Sequence, residues 1–575
     1  MSEWKVGQIK IKSGYTPAPS ATARAAASPS APGVRDAAAD RQMLQAINAA
    51  AQSGDFVRAS DMAEAALRDG LEHPMVLNLA ALKYEDENRF DEALAVLQRA
   101  IQIAPQDLGA RNAAGLVLTR LERYREALAM FDSVVEIMPE FAGAHCARGA
   151  TLEALGRLKD AEAAHRRALE LEPENLGAMQ GCANLLSRRG AHAEARPLAE
   201  AVLKAEPNFP DAVMVLAAAD AAEGHAERAQ ARLEMLAGDE RLTPHQRALA
   251  YGQLGDVLDS QNLVPEAFKA YEACNTGLAQ AYAPLYARGD NALQFARAML
   301  AEMDAIPAAA WNTAPGPAPT DGPRTHVFLL GFPRSGTTLL EQVLASHPDV
   351  EALEERETLS EAQRAFQTRP DDVARLAQAS EAELAPLREA YWARVRAEGG
   401  NPSGKVFVDK HPLHTFRLPL IQKLFPEAKI LFARRDPRDV VLSCYRRRFA
   451  MSHSAYQLLT LPGAAAYYDA AMSLAEKLQP AIAAHTLVVR HEGLIEDFDK
   501  AVSEVCDFLG LAWSDSMRDF ADKARDRAVA TPSGAQLSRG LSAEGVGAWR
   551  RYRDQMAATT PALAPWAAKF GYAAE

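Results

Sequence analysis

The residues most able to do chemistry crowd into short segments of the second half of the chain. HVFLLGFPRSGTTLLEQVLASHP runs from a buried-strand pattern (326–330) through a glycine-containing turn (331–338) into a helix that begins near Thr337 and stops before Pro348. Strand, glycine loop and helix together cradle phosphate. Backbone N–H groups of the loop and of the helix start point at the anion, and Ser335, Gly336, Thr337 and Thr338 lie where such donors are needed. Gly331 and Gly336 keep the spacing of the nucleotide loop GxxxxGK[ST], and Thr338 fits its last place. Thr337 stands where that loop has its lysine, and Arg334 supplies the cation from inside the loop instead. The loop therefore reads as built for a shorter anion than a triphosphate, which weighs against an ATPase or a kinase.

A second segment, AKILFARRDPRDVVLSCYRRRF, reads as a strand (430–433) entering a helix. Asp436 is a natural N-cap and Pro437 a natural first helical residue. Arg435 sits at the strand end, and Ser443 and Arg447, four apart, are expected on one helix face. An arginine, a hydroxyl and an arginine can converge on one phosphate. Arg434, Arg435, Arg438, Arg446, Arg447 and Arg448 fall within 15 positions of a chain whose formal net charge is −12. A nucleic-acid patch is the rival reading, but it lacks interleaved aromatic platforms and a nucleic-acid-binding module. Arg434 and Arg446 read equally well as solvated or as partners of Asp439. Two further segments complete the set: EALEERETL, with Glu354 and Glu355, and KVFVDKHP, with Lys410 at a strand end and His411 beside it. The bland reading of the first is an acidic helix start. A lone histidine beside a strand end is more often structural than catalytic.

PRSGTT resembles the phosphosulfate loop of sulfotransferases, above all the tyrosylprotein sulfotransferases and bacterial proteins that join tetratricopeptide repeats to such a domain; the likeness covers about residues 326–556. It implies a parallel sheet flanked by helices and the donor 3′-phosphoadenosine 5′-phosphosulfate, with no metal required. It also implies roles. The loop residues Arg334, Ser335, Gly336, Thr337 and Thr338 grip the 5′-phosphosulfate, and Arg435 and Ser443 bind the 3′-phosphate. Arg447 matches a further arginine of the tyrosylprotein branch. Aligned without gaps on PRSGTT, Glu355 falls on that branch's catalytic glutamate, although the following Arg356 and Glu357 replace its Thr and Arg. Lys410, in a segment similar to the family's DKxP, joins Arg334 in stabilising the transferred group; His411 is a rival base. LVVRHEGL resembles a strand ending in Tyr-Glu-x-Leu, with His491 in place of the tyrosine that packs near adenine. VATPSGAQLSRGLSAEGVGAW resembles the terminal loop that closes over the donor: Ser533, Gln536, Val546, Gly547 and Trp549 fit, while Gly540 and Ser542 replace a Pro and a Tyr. Ser533 is a further expected donor contact.

The rest of the chain is organised by a period. Pro105, Pro139, Pro173 and Pro207 recur every 34 residues, as do Ala59, Ala93, Ala127, Ala161, Ala195 and Ala229. Small residues let two helices approach, and each proline ends one helix pair before the next. Gly115, Ala127, Phe131 and Pro139 stand where the tetratricopeptide repeat has them, and a later unit keeps Gly255, Ala267 and Tyr271 after a four-residue insertion. In the first unit Ile47 takes the place of a small residue, as suits a terminal cap. The expected fold is an all-α tetratricopeptide-repeat superhelix followed by an α/β, P-loop-like domain with a central parallel sheet. The boundaries are a disordered Ala/Pro/Ser-rich tail at 1–38, repeats at 39–305, a Pro-rich linker at 306–324 and the sulfotransferase-like domain at 325–575.

The 575 residues are too many for one ordinary core. Five scattered cysteines form neither a disulfide framework nor a zinc motif, and no apolar run is long enough to span a bilayer, so a cytoplasmic chain is expected. The repeats read either as a scaffold or dimerisation surface or as the groove that holds the acceptor, a peptide or protein. The resemblance favours protein tyrosine as acceptor and leaves carbohydrate, lipid and small-molecule hydroxyls open. A reading of another class is a scaffold whose sulfotransferase-like domain is inactive. His491, Gly540 and Ser542 feed that reading, and retention of Arg334, Ser335, Thr338, Glu355, Lys410, Arg435 and Ser443 opposes it.

Overall fold

A computed structural model describes residues 37–287, 291–316, 319–521 and 540–574. They fall into two compact units. One runs to Ser187 and takes in Ala191–Val215; the other holds Arg188–Gly190 and everything described from Leu216 onward. The division lies within the repeats and not at the proline-rich stretch 306–324. No helix among the described residues is long and apolar enough to cross a membrane.

The first unit is built of short helices joined in pairs, such as Leu108–Arg120 with Tyr124–Ile137 and Ala142–Ala154 with Leu158–Leu171. Ala59, Ala93, Ala127, Ala161 and Ala195 have no exposed surface, so backbones meet where these small residues face each other. A ring fills the space over the periodic helix glycines. A Cβ added at Gly115 would lie 2.6 Å from Phe131, and one at Gly149 would lie 2.7 Å from His165. The turn inside each pair uses a left-handed residue in the same register, at Gly54, Asn88, Glu122 and Gly156. Helices end at Ile103, Ile137 and Leu171, two residues before the periodic prolines that could not continue them. The first helix, Ala37–Gln52, starts inside the stretch expected as a disordered tail (1–38); the rest of that stretch lies outside the described residues.

In the second unit the later repeat keeps the same devices. Ala267 is fully buried, and a Cβ on Gly255 would lie 2.6 Å from the Tyr271 ring. The helix Ala292–Met303, expected among the repeats, packs against Asp372–Ala377, His453–Gln457 and Leu461–Ile482. The stretch expected as a linker is fastened down as well. Trp311 is 3% exposed, its carbonyl accepts from Gln422 Nε2 at 3.1 Å, and the Ala310 carbonyl accepts from Lys423 Nζ at 3.2 Å.

Five strands follow: β1 (Thr325–Leu330), β2 (Val350–Glu354), β3 (Val406–Lys410), β4 (Lys429–Arg434) and β5 (Thr486–Arg490). They form one sheet in the order β2-β3-β1-β4-β5, every pair parallel. Successive side chains alternate between faces. Val327 and Leu329 of β1 join Val408 and Leu431 in a core with Leu340, Val343 and Leu344 of the helix Thr337–Ala345 and with Val502, Val505 and Leu509 of the helix Phe498–Leu509. The other face carries His326, Phe328 and Phe407 against Tyr391, Trp392 and Phe425, with the His326 and Trp392 rings 4.7 Å apart. The chain leaves β1 for β2 on one side and later places β4 on the other. The carboxyl ends of the strands therefore open onto a crevice beside β1, where open parallel sheets bind ligands.

Candidate active site

The expected site residues gather at or just past the carboxyl ends of the strands: the loop 331–338 after β1, Glu355 after β2, Lys410 at the end of β3, Arg435 after β4 and His491 after β5. The loop 331–336 leaves β1 and enters the helix Thr337–Ala345 through Gly336, whose φ of 99° no L side chain adopts readily. There is also no room for one: a Cβ on Gly336 would lie 2.8 Å from His491 Nδ1, and one on Gly331 would lie 2.7 Å from the Ala433 carbonyl. Thr415 braces the loop base, its Oγ1 accepting from the Gly331 N–H at 3.2 Å and donating to the Gly331 carbonyl. Ser335, Thr337 and Thr338 are buried, and the first N–H groups of the helix have no carbonyl of their own helix to meet. The loop is thus fixed from below, with its donors directed along the helix start.

Arg334 takes φ 72° within the loop and donates from Nε to Ser443 Oγ at 3.0 Å. Burial, then the neighbouring charges of Arg447 and Arg435, pulls its pKa down to about 9. A guanidinium stays protonated at neutral pH, so a buried positive charge faces other cations here. Arg435, immediately after β4, is 7% exposed. It donates from Nη1 to the Arg334 carbonyl at 3.2 Å and from Nη2 to the Gly545 carbonyl, while its Nε is buried with no hydrogen-bond partner. Arg334, Arg435, Ser443 and Arg447 do come together, but not by one helix face. The helix Pro437–Tyr445 ends before Arg447, whose N–H bonds to the Cys444 carbonyl at 3.1 Å. Arg446 and Arg448 on either side are paired with Asp259 and Asp256, beyond the end of the helix. Asp436 caps the helix and Pro437 opens it, as their types imply.

Asp439 pairs with neither Arg434 nor Arg446. Its carboxylate accepts from the Gly547 N–H at 2.7 Å and the Trp549 N–H at 2.9 Å, pinning the terminal segment over this helix. Arg434 instead lies 4.0 Å from the centre of the Phe570 ring. His491 opens the short helix that follows β5. Burial, then the charges of Arg435 and Arg334, pushes its pKa down to about 3, so the ring is neutral, and its Nδ1 is buried without a partner beside the loop. Ser533 and Gln536 lie outside the described residues.

Across the crevice, Lys410 ends β3 with no exposed surface and donates from Nζ to Glu355 Oε1 at 2.7 Å; Glu354 Oε1 is 3.4 Å away. Burial pulls the ammonium down, but the charges of Glu354, Glu355 and Glu341 outweigh it and leave its pKa above the usual lysine value. Glu355 is not at a helix start. It is the first residue past β2, held at φ 47° with its N–H on the Lys410 carbonyl at 2.8 Å. Arg334 and Glu355 are the described non-glycine residues with positive φ outside the repeats; Asn88, Glu122, Asn208 and Asn262 take theirs in repeat turns. Strain of this kind costs about 1–3 kcal/mol and gathers at functional positions. One support was not singled out from the sequence. Asp409, fully buried, accepts from Thr358 Oγ1 at 2.6 Å and Tyr391 Oη at 2.9 Å, tying the Glu355 segment to β3. An aspartate at the end of the apolar run 406–408 was the available signal. His411 stacks on buried His414, ring centres 4.4 Å apart, and its Nε2 lies 3.6 Å from Glu357 Oε1.

Residues 326–515 match the model of the sulfotransferase family. Residues 44–107, 84–150, 142–175 and 186–250 match tetratricopeptide-repeat models. Protein-tyrosine sulfotransferase 2 of Gallus gallus is 25% identical over 232 residues, which span 37% of this chain and 57% of that protein. Nodulation protein NoeE of Sinorhizobium fredii is 31% identical over 207 residues, 32% of this chain and 49% of that protein. An uncharacterized protein of Aquifex aeolicus is 28% identical over 243 residues, 40% of this chain and 31% of its own length. The chain thus spans about a third to three-fifths of the length of these relatives. In chain order, it joins tetratricopeptide repeats to a domain of the sulfotransferase family.

Proposed function

We propose that the α/β domain is a sulfotransferase that moves a sulfuryl group from 3′-phosphoadenosine 5′-phosphosulfate to an acceptor hydroxyl, with protein tyrosine as the acceptor. One observation carries this reading: a single sheet edge sets the Lys410–Glu355 pair beside a phosphate-type loop backed by Arg334, Ser443 and Arg435. The residues fit an anionic donor. A side chain on Gly336 would fill the cradle, and the buried Nε of Arg435 and Nδ1 of His491 have no partner within the protein. When bound, the donor supplies the activated sulfuryl group. The loop and Arg334 hold its 5′ end, and Arg435, Ser443 and Arg447 hold a 3′-phosphate. Thr337, in place of the P-loop lysine, disfavours a triphosphate.

Glu355, with its side chain 37% exposed, is the group placed to take the acceptor's proton, and Lys410 holds positive charge where negative charge develops. His491, neutral and wedged against the loop, serves as the flat neighbour of the nucleotide. Proteins related over part of this domain bear the name protein-tyrosine sulfotransferase, and repeats of this kind suit an extended peptide. Both support a protein acceptor held by the repeats. All five cysteines are free thiols, which fits a reducing cytoplasm.

The test incubates the purified full chain with sulfur-labelled donor and a lysate of the source cells, alongside Arg435→Ala. Label recovered as acid-labile tyrosine sulfate in protein, and lost in the variant, is expected. Label in glycan or small molecules would keep the chemistry and move the acceptor. Absence of transfer with donor still bound would overturn the enzymatic reading.

A further inference from the structure

Of the three arginines that follow the helix Pro437–Tyr445, the outer two, Arg446 and Arg448, are held from outside the α/β fold. Arg446 is paired with Asp259, and its guanidinium lies 5.3 Å from the Tyr271 ring centre and 5.5 Å from that of Tyr552. Arg448 donates from Nη2 to Asp256 Oδ2 at 2.6 Å and from Nη1 to the Gly252 carbonyl at 3.0 Å. Both aspartates belong to one helix of the last repeat, Pro244–Ser260, three residues apart and so on one face. Their remaining oxygens are used too. Tyr271 Oη donates to Asp256 Oδ1 at 3.0 Å, Tyr552 Oη donates to Asp259 Oδ1 at 2.6 Å, and Arg551 Nη2 lies 3.0 Å from that same oxygen. Asn275 Nδ2, on the partner helix Val264–Tyr286, donates to the Tyr445 carbonyl at 2.9 Å, and Phe268 stacks on Tyr445. All of these residues lie in the second compact unit.

Two features make this more than ordinary packing. The charges do not cancel: Arg446, Arg447, Arg448 and Arg551 face Asp256 and Asp259, and the surplus sits beside Arg334, whose pKa Arg447 helps to pull down. The network also grips both ends of the donor site, the turn that carries Arg447 and the segment Trp549–Tyr552 that follows the Gly547 anchor.

We propose that Asp256 and Asp259 of the last repeat are positioning residues for the donor's 3′-phosphate. By fixing Arg446 and Arg448 they present Arg447 to the site, and by fixing Tyr552 they seat the terminal segment. The proposal rests on the sulfotransferase reading of the site. It makes the last repeat a structural part of the enzyme.

The test measures, by calorimetry on the full chain, Kd for 3′,5′-adenosine bisphosphate and for adenosine 5′-phosphosulfate, which lacks the 3′-phosphate. Gly252→Ala keeps every charge, but its Cβ would lie 2.4 Å from Arg448 Cδ and must displace that side chain. Asp256→Asn removes one carboxylate, and Asp256→Glu is its conservative rescue. Gly252→Ala and Asp256→Asn are each expected to weaken the bisphosphate about tenfold and the phosphosulfate less than about twofold, the size of one displaced charged contact; Asp256→Glu should restore most of the loss. Equal weakening of both ligands would reduce the aspartates to a purely structural role and overturn the proposal. Tighter bisphosphate binding in Asp256→Asn would show that they only dilute the field, and would overturn it too. If Asp256→Asn does not fold, Gly252→Ala decides alone. A wild-type protein with no preference for the 3′-phosphate would instead fail the sulfotransferase reading, and the proposal with it.

Discussion

Glu355 and Arg334 hold backbone conformations that side chains other than glycine rarely take, and each is placed by a specific bond: the Glu355 N–H on the Lys410 carbonyl, the Arg334 Nε on Ser443. Glu355→Gln keeps the shape and the left-handed turn but removes the proton acceptor. Turnover should fall about 10²–10⁴-fold, while nucleotide affinity measured by calorimetry stays put. Unchanged turnover would move the base elsewhere, with His411 next in line. The neighbouring lysine was readable as a strand-end cation; that it is wholly buried against two glutamates was not. Burial there depends on β1 and β2 closing over β3, a contact between segments far apart in the chain.

At the scale of elements, Asp409 joins three of them: β3, the segment after β2 through Thr358, and the helix Glu381–Ala397 through Tyr391. Burial, only partly offset by these hydrogen bonds, pushes its pKa up to about 6. The folded protein therefore binds more protons than the unfolded chain between about pH 4, the usual aspartate value, and about pH 6. Stability is lost as pH climbs through that window, and the penalty is complete above it. Relative to Asp409→Asn, the wild type should gain about 1 kcal/mol on going from pH 7 to pH 5, read from paired denaturant titrations. A difference flat in pH would place the carboxylate outside this linkage. Local signals made most of the sheet legible. Gly331 and Gly336 marked the β1 loop, and Asp436-Pro437 marked the helix after β4. The surroundings of that helix end were not legible, because the partners of Arg446 and Arg448 there, Asp259 and Asp256, lie nearly two hundred residues upstream in a pattern that reads as repeat surface. The helix-face argument for Ser443 and Arg447 fails, since the helix stops at Tyr445, before Arg447.

For the molecule as a whole, the repeats of the first unit should be separable from nucleotide binding. Ala161 is fully buried between helices, so Ala161→Leu overpacks that contact at a cost of about 1–3 kcal/mol. Faster hydrogen exchange is expected in the helices Ala142–Ala154 and Leu158–Leu171, with nucleotide Kd unchanged; a weakened Kd would extend the donor site into the first unit. The last repeat behaves otherwise, and this bears on modularity. Proline-rich stretches invite the view of a seam where genes can be cut and rejoined. A catalytic fragment begun at that stretch would lose Asp256 and Asp259, and would strand Arg446, Arg448 and Arg551 without counter-charges. A seam that spares these pairs, natural or engineered, must lie ahead of the helix Pro244–Ser260. A chimera that swaps the earlier repeats should carry the final one along with its α/β host.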